Sequence, residues 1–171
     1  LPFSPGGESA GTVSAIGEGV KDIAIGDRVF AMTGLGAFSE KIVAHQNSVM
    51  KIPDSMSFET AAALPMTYGT SLYALNQRAE LKAGETLLVL GAAGGVGLAT
   101  VELGKAMGAK VIAAASTQEK VDLCKQHGAD EGFIYPTGKL DRDQQKELSA
   151  KIKELTGGMG ANVVYDPVGD S

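Results

Sequence analysis

The spacing of apolar and polar positions changes character once along this chain, near Asp54. Before that point, short runs of small, β-branched and apolar residues are separated by glycines. Residues 8–16 end at Gly17, and residues 27–32 follow Ile25-Gly26. Residues 37–44 alternate in part, and residues 49–52 stop at Pro53. Many short runs with glycine turns predict β-strands of a small barrel or sandwich. After Asp54 the period becomes helical. Asp54-Ser55-Met56-Ser57 offers N-cap chemistry, and the alanine-rich residues 58–64 predict a helix. Pro65 is expected to break or restart it. Residues 67–78 predict a second helix with Tyr68, Ser71, Leu72 and Leu75 on one face, and 82–85 predict a turn.

From residue 86 the pattern reads β-α-β-α. Residues 86–90 form a strand-like apolar run that enters Gly91-Ala92-Ala93-Gly94-Gly95-Val96-Gly97. Val96, Ala99, Thr100, Leu103 and Met107 then recur at helical spacing until Gly108. Strands are expected at 110–115, 132–135 and 161–166. Helices are expected at 118–127, ended by Gly128, and at 141–155, ended by Gly157-Gly158. Such alternation predicts a parallel sheet with right-handed crossovers. The charges from Lys139 to Glu154 read as a solvated helix face, with Glu147 and Lys151 at a favourable spacing.

Composition narrows the classes. The chain has 171 residues, 44% of them apolar, and a formal net charge of −5. It can bury a core, and the acidic balance with no basic stripe argues against nucleic acid as a partner. The single cysteine, Cys124, rules out an internal disulfide framework and a four-cysteine zinc lobe. No apolar run suggests a membrane span. The expected compartment is the cytoplasm. Because the chain opens on Leu1, it is also expected to be a fragment, which leaves a mitochondrial location open.

The chemistry concentrates at the glycine-rich turn. A phosphate reaches the backbone only where no Cβ intervenes, and the first free N–H groups of a helix then bind it along the dipole. Gly94 and Gly95 would allow that approach, and Gly97 would let the helix pack closely on its strand. Strand, glycine turn and helix is the context of a dinucleotide fingerprint. Ala92 stands where a strict G-x-G-x-x-G has its first glycine. A plain tight turn and a methyltransferase turn remain open on these residues. A nucleotide triphosphatase loop does not fit, because no Gly-Lys-Ser/Thr follows.

The acidic residue that binds an adenosine ribose sits about 20 residues past such a turn, at the end of the second strand. Here that strand ends Ala113-Ala114-Ala115-Ser116-Thr117, without a carboxylate; Glu119 comes later, inside the next helix. Nothing at the strand end would repel a 2′-phosphate. Ser116 can donate to it and Lys120 can supply charge. Ser116 or Thr117 can equally serve as the helix cap, and Lys120 can equally be an ordinary surface lysine.

Together these motifs resemble the medium-chain dehydrogenase/reductase superfamily, in its zinc-free quinone oxidoreductase (zeta-crystallin-like) branch. The resemblance rests on Leu1-Pro2-Phe3, Pro5-Gly6-Gly7-Glu8, Gly26-Asp27-Arg28-Val29, Ala61-Ala62-Ala63-Leu64 and Tyr68-Gly69-Thr70. It continues through Ala93-Gly94-Gly95-Val96-Gly97 and Tyr165-Asp166-Pro167-Val168-Gly169. It implies an α/β chain: a partial GroES-like β-barrel domain at 1–62, then an incomplete Rossmann domain with a doubly wound parallel sheet at 63–171. The zinc branch carries Gly-His-Glu where this chain has Gly6-Gly7-Glu8, so a metal ligand is replaced. With only His45, His127 and Cys124 as other soft donors, no catalytic zinc is expected, and Glu8 reads as structural. His45 and His127 are expected at the surface.

The resemblance further implies NADPH as cofactor. Gly94, Gly95, Val96 and Gly97 would hold its pyrophosphate, and Ser116, Lys120 and Tyr135 its adenosine end. Thr70 and Val168 would lie near the nicotinamide. The implied activity is hydride or electron transfer to a small-molecule quinone or enone, in a homodimer when full length. An enoyl-thioester reductase and a non-catalytic NADPH-binding protein on the same fold are the alternatives. No catalytic residue can be named from the sequence.

Overall fold

A computed structural model describes residues 3–136, 138 and 140–169. Leu1, Pro2 and Lys139, which belong to two of the stretches singled out above, lie outside the described residues. Those described group into two compact units that divide between Met66 and Thr67.

In the first unit, β1 (Glu8–Thr12), β2 (Arg28–Met32) and β3 (Val49–Lys51) form an antiparallel sheet in that order. Glu8 pairs with Met32, and Phe30 with both Ala10 and Met50. The period of two explains β2: Val29 and Ala31 are buried, while Arg28, Phe30 and Met32 are not. Gly26 turns the chain at φ +94°. Beside it, Asp27 accepts from Ala24 N–H at 2.7 Å and pairs with Lys51 at 2.8 Å. These two interactions hold the half-buried Asp27 carboxyl below its usual range, the hydrogen bond from Lys51 most of all. The Arg28 guanidinium lies 4.2 Å from the centre of the Phe58 ring and donates to Met56 O.

Residues 37–44, expected as a strand, are irregular. Ala37 and Phe38 donate to Gly6 O and Pro5 O, which ties the segment to a neighbouring loop rather than to a ladder. Its apolar side chains find no face to bury against: Phe38 is 76% exposed and Val43 98%.

Helix α1 (Phe58–Leu72) runs straight through Pro65 and corrects the expected break. Ser57 Oγ accepts from Thr60 N–H at 3.1 Å and caps the start. Pro65 has no N–H to lose, and the next amide, Met66 N–H, donates to Glu8 Oε1 at 2.7 Å. After Leu72 the coil widens. Residues 73–78 form a π-type turn closed by Ala79 N–H to Ala74 O at 2.9 Å, so no separate second helix starts at 67.

The second unit is a parallel four-stranded sheet in the order β6 (Glu131–Ile134), β5 (Lys110–Ala115), β4 (Thr86–Val89), β7 (Val163–Tyr165). Side chains of β4 alternate between two cores. Leu87 and Val89 join Val111, Ala113, Val101 and Cys124; Leu88 joins Ile112, Ala114 and Phe133. The first core packs under α2 (Gly95–Ala106) and α3 (Gln118–Gln126). The second takes Leu148, Ile152 and Leu155 of α4 (Arg142–Leu155). A sheet covered on both faces requires central strands that are apolar throughout, and Val111–Ala115 is buried at every position.

The buried stripe of α2 is Gly97, Ala99, Thr100, Val101 and Gly104 rather than the larger residues of the expected pattern. A Cβ on Gly104 would lie 2.5 Å from Leu87 Cδ2, so helix and strand touch through the missing side chain. Asp141 and Gln144 form a capping box on α4. Lys151 pairs with Glu154 at 3.0 Å, the i, i+3 neighbour, rather than with Glu147. Among the described residues, no helix is long and apolar enough to cross a membrane.

Candidate functional site

The glycine turn follows β4, one of the two central strands of the sheet. Gly91 takes φ +57°, and a Cβ there would lie 2.6 Å from Val168 Cγ2. Val168 follows β7, so the turn and the end of the neighbouring strand meet at this point. Val168 is itself 64% exposed. Its N–H and that of Gly169 both donate to Asp166 Oδ1 at 3.0 Å, which fixes the loop.

The glycines of the turn divide by what surrounds them. A Cβ on Gly97 would stand 2.4 Å from Gly91 O, so packing alone demands glycine there. Gly94 and Gly95 are exposed. A Cβ on either would reach its nearest atom, Gly91 O or Thr67 Cγ2, only at 3.4 Å. Gly94 is the N-cap of α2 and offers no side-chain oxygen to the first turn. The result is an open backbone cradle at a helix N-terminus, followed by the half-buried Val96, and it suits an anion that must approach the main chain.

Tyr135 and Ser116 bring two further elements to this region. Tyr135, just past β6, is 9% exposed, and its hydroxyl accepts from Gly91 N–H at 3.1 Å. With that bond accepted, its own proton is available to a second partner. At the end of β5, Thr117 and not Ser116 caps α3, accepting from Lys120 N–H at 3.3 Å. Ser116 is thereby released from the backbone, and its Oγ accepts instead from Lys120 Nζ at 3.1 Å. A hydroxyl and an ammonium thus form an exposed pair with no carboxylate at the strand end. Thr70 lies exposed on α1.

Three features were not read from the sequence. Ser71 and Thr100 are fully buried, their hydroxyl oxygens 2.9 Å apart and both within hydrogen-bond reach of Val96 O, at 3.1 and 2.8 Å, so α1 is locked to the first turn of α2. Thr67 of α1 lies against Gly95. The third is a cluster centred on Glu102. Tyr68 donates to Glu102 Oε2, and His127 Nδ1 lies 2.5 Å from Glu102 Oε1. His127 is therefore engaged rather than a free surface residue. The bond to Glu102 and burial together push the Tyr68 hydroxyl up to about 12. Burial pushes Glu102 up, but the hydrogen bonds from Tyr68 and His127 outweigh it and hold the carboxyl below its ordinary value. Of these residues only Tyr68 was placed on a helix face by the sequence; the role of Glu102 and the approach of three helices were not visible there.

The residues present do not fit a catalytic zinc. At the position of the absent histidine, a Cβ on Gly7 would already meet Gly34 O at 3.3 Å. His45 accepts from Asn47 N–H in an exposed turn, His127 is held by Glu102, and Cys124 is buried with its thiol pushed up by burial. Among the described residues, no three His, Cys, Asp or Glu side chains gather into a metal site.

Two family models match the chain: alcohol dehydrogenase GroES-like domain at residues 1–54, and zinc-binding dehydrogenase at residues 95–171. The chain is 41% identical over 170 residues to a quinone oxidoreductase of Pseudomonas aeruginosa, covering 99% of itself and 50% of that protein. It superposes on the Escherichia coli quinone oxidoreductase, solved in complex with NADPH, with a TM-score of 0.84 and 38% identity; 99% of this chain and 50% of that one are covered. It is also similar to the CurK enoyl reductase, with a TM-score of 0.82 and 32% identity over 95% of this chain and 46% of that one. The chain spans about half the length of these proteins. This chain belongs to the medium-chain dehydrogenase/reductase superfamily, as a quinone oxidoreductase-like member.

Proposed function

We propose that the protein is an NADPH-dependent, zinc-independent oxidoreductase that reduces quinones or activated C=C bonds. The observation that carries this reading is the Ser116–Lys120 pair at the end of β5, a donor and a cation where a carboxylate would exclude a 2′-phosphate. The relation to quinone oxidoreductases, one of them solved with NADPH, supports it.

When bound, NADPH supplies a hydride from its nicotinamide. The residues of this chain bind and orient it. The first N–H groups of α2 and the open faces of Gly94, Gly95 and Val96 would receive the pyrophosphate, and Gly97 would keep the helix close enough to the strand for that approach. Ser116 and Lys120 would take the 2′-phosphate, with Tyr135 beside them. Thr70 and Val168 would border the nicotinamide. A conjugated acceptor delocalises the developing charge itself, so positioning is the protein's main task.

Homodimeric assembly and a cytoplasmic setting complete the proposal. Enoyl-thioester reduction is the second reading, favoured by the likeness to the CurK enoyl reductase. The test is NADPH oxidation against a panel of a quinone, an enone, an enoyl thioester and a simple ketone. Turnover of quinone and enone above the others supports the proposal. Preference for the thioester selects the second reading, and ketone turnover with bound zinc overturns both.

A further inference from the structure

Three helices bear residues of the proposed cofactor site, and one carboxylate joins them. Tyr68 sits two residues before Thr70 on α1. Glu102 stands seven residues along α2 from Gly95, about 10 Å down the helix from the phosphate turn. His127 closes α3, the helix whose first turn carries Lys120. Glu102 Oε2 accepts from Tyr68, and Glu102 Oε1 meets His127 Nδ1 at 2.5 Å. The two oxygens are therefore committed to different helices. Lys105, one turn further along α2, is held by Asp130 at 2.5 Å.

We propose that Glu102 is a positioning residue for the cofactor, whose two oxygens set the two ends of the site separately: Tyr68 and α1 for the nicotinamide end, His127 and α3 for the 2′-phosphate end. The inference rests on the cofactor reading above. Its physical basis is leverage. His127 pins α3 seven residues from Lys120, whereas Tyr68 pins α1 two residues from Thr70, beside the Ser71–Thr100 contact, so loss of one bond loosens its own helix locally and not the other. Coupling through such packed, hydrogen-bonded elements is modest in size. The carboxylate cannot serve both ends through a single bond, because each oxygen has its own partner.

The test uses two ligands and four variants of the purified protein, with thermal melting checked for each. NADPH reports both ends of the site; 2′,5′-ADP reports the adenosine end alone. Tyr68→Phe is expected to weaken NADPH roughly three- to tenfold and to leave 2′,5′-ADP unchanged. His127→Gln is expected to weaken both ligands by a similar factor. Glu102→Ala should combine the two effects, and Glu102→Gln, which keeps an acceptor for Tyr68, should restore most of the nicotinamide-end loss. A purely structural role would lower the melting temperature without this split between ligands. Equal loss of both ligands in Tyr68→Phe, or wild-type affinity in every variant, overturns the inference while leaving the cofactor reading intact. Failure of the wild-type protein to bind either ligand overturns both.

Discussion

Lys120 Nζ lies 3.1 Å from Ser116 Oγ, one helical turn apart, with the backbone cap of the same helix supplied by Thr117. The division of labour matters. A serine that capped the helix would have its oxygen turned to the main chain, whereas here it faces the lysine. Lys120→Ala is expected to raise the dissociation constant for NADPH roughly 5- to 150-fold, on the order of 1–3 kcal/mol for a charge-assisted phosphate contact, and to leave NADH nearly unchanged. Added salt should narrow the wild-type preference, since the pair is exposed and screening reaches it. Titration calorimetry of both proteins with both cofactors decides it. Equal weakening of the two cofactors would assign the lysine to the fold.

Gly95 and Gly97 are two residues apart and should fail in opposite ways. Gly95 is exposed, with room for a Cβ at 3.4 Å from Thr67, so Gly95→Asp should fold and yet lose NADPH by steric block and charge repulsion. Gly97→Ala forces a methyl to within 2.4 Å of Gly91 O and should cost about 1–3 kcal/mol of stability. That corresponds to about 2–4 °C of melting temperature per kcal/mol in a chain of this size. Melting curves and nucleotide titration on both variants separate the outcomes. Unchanged affinity in folded Gly95→Asp would remove the turn from the site.

The Glu102 cluster gives stability two pH limits. The Tyr68 hydroxyl is raised from 10.0 to about 12, chiefly by its bond to Glu102 and then by burial. Its contribution is complete below pH 10, where the unfolded chain also keeps the proton, and is lost as pH rises towards about 12. Glu102 runs the other way. Burial opposes ionisation, but the hydrogen bonds from Tyr68 and His127 leave the carboxyl lowered. Its contribution is present above the ordinary glutamate range and is lost as pH falls through the lowered value. Asp130 behaves alike: burial opposes its charge, and Lys105 and Val111 N–H overcome it. Melting temperature against pH should therefore fall at both extremes. Tyr68→Phe should lessen the alkaline fall between about 10 and 12, the buried Cys124 thiol accounting for a remainder, while keeping an acid one; an unaltered alkaline limb would refute the assignment.

Much of the second unit was legible because its signals are local. Apolar runs such as residues 110–115, the stops at Gly108 and Gly128, and the glycine turn itself are written within a few residues. What stayed hidden depends on contacts far apart in the chain. Residues 37–44 alternate like a strand, but no neighbouring strand accepts them. Pro65 should end a helix, yet Glu8, distant in sequence, receives the following amide. Ser71 and Thr100 fall on the expected helix faces, but their contact with one another across two helices is not written in either stretch. In the site, the glycines and the missing carboxylate were readable from spacing. The choice of Thr117 over Ser116 as cap, the Tyr135–Gly91 bond and the Glu102 bridge needed coordinates.

The placement of the phosphate turn on β4 has an entropic consequence. This strand is bonded to β5 on one side and β7 on the other, and its amide direction continues past its end, where Leu90 N–H reaches Tyr165 O at 2.9 Å and Ala92 N–H reaches Ala114 O at 3.0 Å. Gly94 N–H then closes back on Gly91 O at 3.0 Å, and Gly91 N–H is held by Tyr135. The amides of Leu90, Gly91, Ala92 and Gly94, which lead from the strand into the cradle, already have partners before any nucleotide arrives. The turn is preorganised. A dinucleotide meets a main chain with little conformational freedom left to surrender, so the ordering cost that usually erodes affinity at a loop is largely met during folding.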